Sequence, residues 1–376
     1  MEFRDLRAQY LALKQEIDSS ILSVIDSTAF ILGKEVTELE VTLAEYVGRK
    51  HCVGVANGTE ALQLSLMAMD VGPGDAVFTS DFTYFASSGC ASIVGATPIL
   101  VDIDLATFNI SPVELEKQIL NVIKQGKLNP KVIIPVDLFG LPANYPEIEQ
   151  IANKYGLKIL EDAAQGFGGN INGKMACSFG DLSATSFFPA KPLGCYGDGG
   201  AIFTDDDSVD VRLRSLRASG KSPKDKYDNR EVGLNSRLDT MQAAILLAKF
   251  QAFKDYELDA INAAAKRYTD ALKDRVVVPD IPEGYYSSWA QYSVLLEGAE
   301  QRAVVQQKLR AAEIPSMIYY PRGIHQQAAY AKYELKDEDY PNSVSATKRV
   351  LSLPLHPYIT IEQQQGVIDR FLRAIE

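Results

Sequence analysis

Residues 158–165 read Lys158-Ile159-Leu160-Glu161-Asp162-Ala163-Ala164-Gln165, a short apolar run closed by two acids. A helical stretch precedes it at 145–155, and another apolar run stands at 132–136. Strand, helix and strand at this spacing form the repeating unit of a parallel sheet. Working outward, the pattern recurs. Strands are expected at 52–57, 76–80, 98–103, 182–187 and 201–204. Helices are expected from Gly58 to about residue 70 and over 84–94, with the turn Gly72-Pro73-Gly74-Asp75 leading into a strand. Ser111-Pro112 opens a further helix, serine at the N-cap and proline at the first position. Apolar runs of this kind, flanked by turns and separated by helices, belong to strands buried on both faces. The expected fold class is therefore α/β with a mostly parallel central sheet.

A long helical region over 239–273 leaves this alternation, and Asp280-Ile281-Pro282-Glu283-Gly284 marks a linker. The remainder has the mixed signals of a smaller α+β domain. Its last helix begins at Thr360-Ile361-Glu362-Gln363, a capping-box pattern. The expected division is a large domain over 1–250 and a small one over 251–376. The opening helix, at 5–28, is expected against the small domain.

The chain has 376 residues, enough for two cores. Thirty-eight basic residues against forty-nine acidic ones give a formal charge of −11. No Lys/Arg run offers a track for a phosphate backbone, so nucleic acid is not expected as a partner. Net charge concerns solubility and steering and does not exclude an anionic substrate. No apolar run approaches the ~20 residues of a bilayer span. Met1-Glu2-Phe3-Arg4-Asp5 has no leader character, and a cytoplasmic location with no membrane partner is expected. Cys52, Cys90, Cys177 and Cys195 are scattered and read as reduced structural thiols, Cys195 as a turn-packing residue. His51, His325 and His356 lack ligand spacing, so no metal is expected.

Ligands of open α/β sheets gather at the carboxyl ends of the strands. Asn57, Ser80, Asp162 and Ser186 fall at or near such ends. Just beyond lies Ser186-Phe187-Phe188-Pro189-Ala190-Lys191-Pro192-Leu193-Gly194. An amine between apolar residues and a glycine-rich turn is placed to become an imine-forming nucleophile. Alone, Lys191 also reads as a surface lysine, and Asp162 as the cap of the next helix. Together they suggest pyridoxal phosphate, whose aldehyde needs a lysine and whose ring nitrogen needs an acid.

Asn57-Gly58-Thr59 at a strand-to-helix junction suits a phosphate, although the same run makes ordinary turns. Ser186 adds a hydroxyl there. Gln165 is placed to face the phenolic oxygen of the cofactor. Phe82 and Tyr84 offer ring faces for stacking, or serve as core. Gly194, Gly197, Gly199 and Gly200 lack the spacing of a dinucleotide loop. Arg237, in Asn235-Ser236-Arg237-Leu238-Asp239, is either a cationic fork near an acidic ligand or part of a capping segment.

These segments resemble the DegT/DnrJ/EryC1/StrS family of sugar aminotransferases. The resemblance rests on Ala56-Asn57-Gly58-Thr59-Glu60-Ala61-Leu62, Asp81-Phe82-Thr83-Tyr84-Phe85-Ala86, 161–165, 186–194 and 233–239, in family order across nearly the whole chain. It implies the aspartate-aminotransferase fold (pyridoxal phosphate fold type I), working as a homodimer with shared active sites. By resemblance, Lys191 carries the cofactor and moves the proton, Asp162 meets the ring nitrogen and Gln165 the ring oxygen. Gly58, Thr59 and Ser186 hold the phosphate, with Asn235 arriving from the partner subunit, and Tyr84 stacks on the ring. Arg237, Tyr320 and His325 resemble positions that contact substrate. Relatives often have His-Tyr-Pro where this chain has Tyr319-Tyr320-Pro321, a departure at 319.

Within the family, 191–200 and 353–358 resemble enzymes that aminate C3 of UDP-2-acetamido-2-deoxy-3-keto-glucuronate, with L-glutamate as donor. This implies a place in lipopolysaccharide or O-antigen sugar synthesis. Aminotransferases of TDP-linked 3-keto-6-deoxyhexoses are the alternative. Dehydratases of this fold replace the lysine with histidine, which Lys191 argues against. A catalytically silent cofactor-binding protein is the alternative of another kind.

Overall fold

The computed structural model describes every residue except 223 and 226. Three helices, α1 (Leu6–Ala12), α2 (Lys14–Ser27) and α3 (Lys34–Val47), come first. Alternation follows through β1 (His51–Val55), α4 (Gly58–Ala68), β2 (Asp75–Ser80), α5 (Ala86–Ile93) and β3 (Thr97–Val101). It continues with α6 (Pro112–Gln125), β4 (Asn129–Ile134), α7 (Tyr145–Tyr155) and β5 (Lys158–Asp162). Short strands β6 (Asn170–Ile171) and β7 (Lys174–Met175) lead to β8 (Leu182–Ser186), β9 (Gly200–Thr204) and α8 (Asp207–Leu216).

Seven strands form one sheet in the order β1-β9-β8-β5-β4-β2-β3. From β3 to β8 all neighbours are parallel. β9 departs from that pattern and runs antiparallel to both β8 and β1. No helix intervenes between Ser186 and Gly200, so the chain returns beside β8 in the opposite direction. Alternation of side chains explains how both faces are covered. Ala201 and Phe203 of β9 enter one apolar cluster while Ile202 enters another. In the same way Val132 and Ile134 of β4 face one layer and Ile133 the other. Each fully buried Val, Ile or Phe among them contributes about 1.5–3 kcal/mol.

The helical region expected at 239–273 consists of α9 (Thr240–Ala252) and α10 (Leu258–Leu272), joined through one wide turn at Phe253–Glu257. Then come β10 (Tyr285–Tyr286), β11 (Tyr292–Leu295), α11 (Ala299–Ala311), α12 (Pro341–Arg349), β12 (Val350–Leu353) and α13 (Ile361–Ile375). β10 pairs with β6, and β11 pairs with β12. Ile261, Tyr268, Tyr292, Leu309, Leu353 and Phe371 share a separate apolar cluster. The capping box at the head of α13 is formed, Thr360 and Gln363 each accepting from the other's backbone N–H.

The opening helix reaches residues on both sides of 250, Gln9 donating to Glu257. It breaks at Leu13 into α1 and α2, and Leu13 and Ile17 pack against Ile245 and Ala252 at the end of α9. Its apolar stripe finds its cover there. Phe3, ahead of it, reaches the C-terminal residues: its ring meets Tyr319 edge-on at 6.2 Å and its carbonyl accepts from the Leu355 N–H.

Candidate active site

β5 and β8 lie side by side, with Asp162 in register with Ala184, so Asp162 and Ser186 project at one edge of the sheet. Asp162 is buried. Its Oδ2 accepts from the Ser87 hydroxyl at 2.7 Å and its Oδ1 from the Ala164 N–H at 3.2 Å. Burial pushes this carboxyl above its ordinary range, while Ser87, Ala164 and the Lys191 amine pull it back. A second cation at the carboxylate would favour the charged form further.

Lys191 lies in the loop after β8, its N–H donating to the Phe188 carbonyl at 2.8 Å. Burial drives its amine down to about 8, against the pull of Asp162 and with a push from Arg4. At pH 7 such an amine is roughly a tenth neutral, against less than a thousandth for an ordinary lysine. A neutral amine is what imine formation and proton abstraction require.

A candidate phosphate cradle is built by close backbone approach. Asn57 caps α4, its side chain accepting from the Glu60 N–H at 2.9 Å. A Cβ on Gly58 would lie 2.7 Å from Ser186 Cβ, and one on Gly200 would lie 2.6 Å from the Asn57 carbonyl carbon. Glycine at both positions lets the first N–H groups of α4 come down on the ends of β8 and β9. Gly58, Thr59 and Ser186 are half-buried. A helix N-terminus with a hydroxyl beside it suits a dianionic phosphate. Amine, buried carboxylate and cradle together match the aldehyde, ring nitrogen and phosphate of pyridoxal phosphate.

Gln165 is buried behind them. Its Oε1 accepts from the Phe139 N–H at 2.9 Å, and its Nε2 donates to the Tyr320 hydroxyl at 3.2 Å. Tyr320 therefore joins the same group, its phenol pushed up by burial and by Asp162, Tyr319 and Tyr84. Of the two aromatic candidates, Phe82 is core, fully buried against Phe108, Phe139 and the edge of Tyr320. Tyr84 is 60% exposed, and its ring face is open.

Three residues are not gathered here. His325 is buried with Nδ1 at 2.7 Å from Asp81 Oδ2 and Nε2 at 2.9 Å from Asp337 Oδ1, stacked on Tyr340. Both ring nitrogens meet carboxylates here, one of them the exposed Asp337. The side chain fastens 323–325 to the start of the loop bearing Tyr84. Asn235 is exposed, and Arg237 is half-buried beside Ser236, whose hydroxyl accepts from the Ala56 N–H.

Sequence reasoning missed Ser87, Arg4 and Lys249. Ser87 lies three residues beyond Tyr84 on an unremarkable helical turn. Arg4 donates to the Lys191 carbonyl across 187 positions, a separation that no local pattern reveals. Lys249 did leave a signal: it is a single cation within the apolar run 243–250. The expected packing role of Cys195 is formed, its thiol donating to the Phe187 carbonyl.

The family model of the DegT/DnrJ/EryC1/StrS aminotransferase family matches residues 12–372. The chain is 43% identical, over 96% of its length and 96% of the relative's, to UDP-2-acetamido-2-deoxy-3-oxo-D-glucuronate aminotransferase of Pseudomonas aeruginosa. It is 39% identical to UDP-N-acetyl-3-dehydro-alpha-D-glucosamine 3-aminotransferase of Acidithiobacillus ferrooxidans, over 96% of the chain and 94% of the relative. The crystal structure of a DegT DnrJ EryC1 StrS aminotransferase from Brucella abortus superimposes with a TM-score of 0.96 at 46% identity, covering 99% of each chain. The chain belongs to the DegT/DnrJ/EryC1/StrS aminotransferase family. It has the family's pyridoxal phosphate fold and is a pyridoxal phosphate-dependent aminotransferase.

Proposed function

We propose that this enzyme transfers the amino group of L-glutamate to C3 of UDP-2-acetamido-2-deoxy-3-keto-glucuronate, for a cell-surface polysaccharide sugar. The observation that carries the chemistry is a buried Lys191 amine within electrostatic reach of the buried Asp162 carboxylate, both at the end of the sheet where glycines bring α4 down on β8 and β9. The Pseudomonas relative supports the substrate. When bound, pyridoxal phosphate supplies an electron sink for a carbon that loses a proton.

The rest is the work of side chains. With the cofactor bound, Lys191 would hold it through its aldehyde, and its amine would take the proton from Cα of glutamate and return one to the sugar carbon in the second half-reaction. Asp162, charged and held by Ser87, fixes the ring nitrogen. Gly58, Thr59 and Ser186 hold the phosphate, Tyr84 covers one face of the ring, and Gln165 with Tyr320 lines the phenolic edge. Tyr320 borders the substrate, and Arg237, set apart from its own chain's cradle, would border it from the partner subunit together with Asn235. Asn235 supports a homodimer with shared sites: it is exposed and reaches no part of its own cradle through a hydrogen bond among the described residues. We place the enzyme in the cytoplasm because its proposed substrate is a nucleotide sugar; no described helix is long and apolar enough to cross a membrane.

Lys191→Ala should abolish the visible band of the lysine-bound cofactor and lower turnover by at least about 10²–10⁴-fold, the range of a lost proton-transfer group. Retained multiple turnover would remove Lys191 from the mechanism. A substrate panel decides the sugar: amination of the UDP-linked 3-ketoglucuronate is expected, and preference for a TDP-linked 3-keto-6-deoxyhexose would reverse the assignment.

A further inference from the structure

Two cations fasten the loop that carries Lys191 from outside the sheet. Arg4 Nη2 donates to the Lys191 carbonyl at 3.0 Å, and Lys249 Nζ, from α9, donates to the Gly194 carbonyl. Lys249 is 1% exposed and lies 5.0 Å from the centre of the Tyr196 ring. Arg4 is half-buried, anchored on one side by Phe3 against Tyr319 and on the other by α1. Neither cation has a carboxylate within ion-pair distance among the described residues. The acid that acts on both is Glu257, in the turn after α9, and its carboxylate is already engaged by Gln9 and by Tyr358. The positive charge of Arg4 is thus not cancelled at contact.

We propose that Arg4 is a positioning residue for Lys191: it holds the lysine loop by its carbonyl and sets a permanent positive charge behind the amine. The proposal deepens the function given above and rests on its use of Lys191. The charged groups around the pair are few. Asp162, from β5, favours the protonated amine and Arg4 opposes it. Arg4 itself faces Lys249, Glu257 and His356, and His356 is held neutral near pH 7 by a pKa pushed by burial down to about 4. Asp5, beside Arg4, acts on His356 and caps α1. A cation beside an amine makes protonation costlier, so Arg4 keeps more of Lys191 in the nucleophilic form.

The test needs no cofactor. The pH dependence of Lys191 acylation by acetic anhydride is followed by peptide mass in the full chain, for wild type, Arg4→Met and Arg4→Lys. Arg4→Met should move the half-point upward by about half a unit, less than the one to three units of a direct ion pair. Arg4→Lys should bring it back towards wild type. An unmoved half-point in Arg4→Met, or an equal shift in Arg4→Lys, overturns the proposal. Should Arg4→Met fold poorly, Arg4→Gln replaces it, keeping a hydrogen-bond donor and losing the charge. In the holoenzyme, Arg4→Met should lower kcat about tenfold or more with KM unchanged, as misplacement of a reacting group does. Failure of the function itself shows separately, as a wild-type chain that takes up no pyridoxal phosphate.

Discussion

At the scale of single residues, the site sets one titratable group against another. Asp162 is buried, which favours its neutral form, yet the role proposed for it at the ring nitrogen demands the charged one. Ser87 and the Ala164 N–H resolve this by donating to the carboxylate. Asp162→Asn keeps the shape and removes the charge. Losing one charge-assisted hydrogen bond costs about 1.5–3 kcal/mol, so cofactor affinity should fall on the order of 10–100-fold in an equilibrium titration. The sign with pH follows: a carboxyl raised by burial is protonated at higher pH than an ordinary aspartate. Cofactor loss on acidification should therefore begin above the usual carboxylate range of about 4. Undiminished affinity in Asp162→Asn would place the ring nitrogen elsewhere. Asp162 was legible in the sequence because an acid closing an apolar strand is unusual. Ser87 was not, because a serine in a helix turn says nothing about which carboxylate will face it.

At the scale of elements, the α4 N-terminus is useful only because it can descend onto β8. Gly58→Ala brings a methyl to 2.7 Å from Ser186 Cβ, well inside ordinary contact, so the helix start must retreat. Overpacking of this kind costs about 1–3 kcal/mol. The expected result is weaker binding of pyridoxal phosphate with helical content unchanged by circular dichroism. Unchanged cofactor affinity would mean that the phosphate does not rest on this helix. Elements whose cues are local were legible. Helix 145–155 and strand 158–162 stand where the apolar spacing put them, and so does the capping box of α13. The direction of β9 was not legible, since pairing sense is decided by the path of the 187–199 loop. Nor was the break at Leu13, where packing on α9 overrides a continuous helical pattern.

At the scale of the whole molecule, several large apolar side chains stay exposed on the single chain. Tyr84 and Phe188 are 60% and 52% exposed beside the lysine loop, and Phe30, Ile31 and Leu32 are 47%, 47% and 40% exposed where the chain bridges to Asp239. The shared dimer site proposed above makes a sharp demand: Lys191 and Asn235 of one complete site would come from different chains. Lys191→Ala and Asn235→Ala should each be inactive or nearly so alone. Unfolded together and refolded as a mixture, they form hybrid dimers in which one of the two sites carries both wild-type residues. Half the dimers being hybrid, activity should return to about a quarter of wild type. Sedimentation of the mixture should give the mass of two chains. A mixture that is dimeric yet recovers no activity would mean that each chain supplies its own phosphate contacts, and the role of Asn235 would pass to Thr59 and Ser186 of the same cradle.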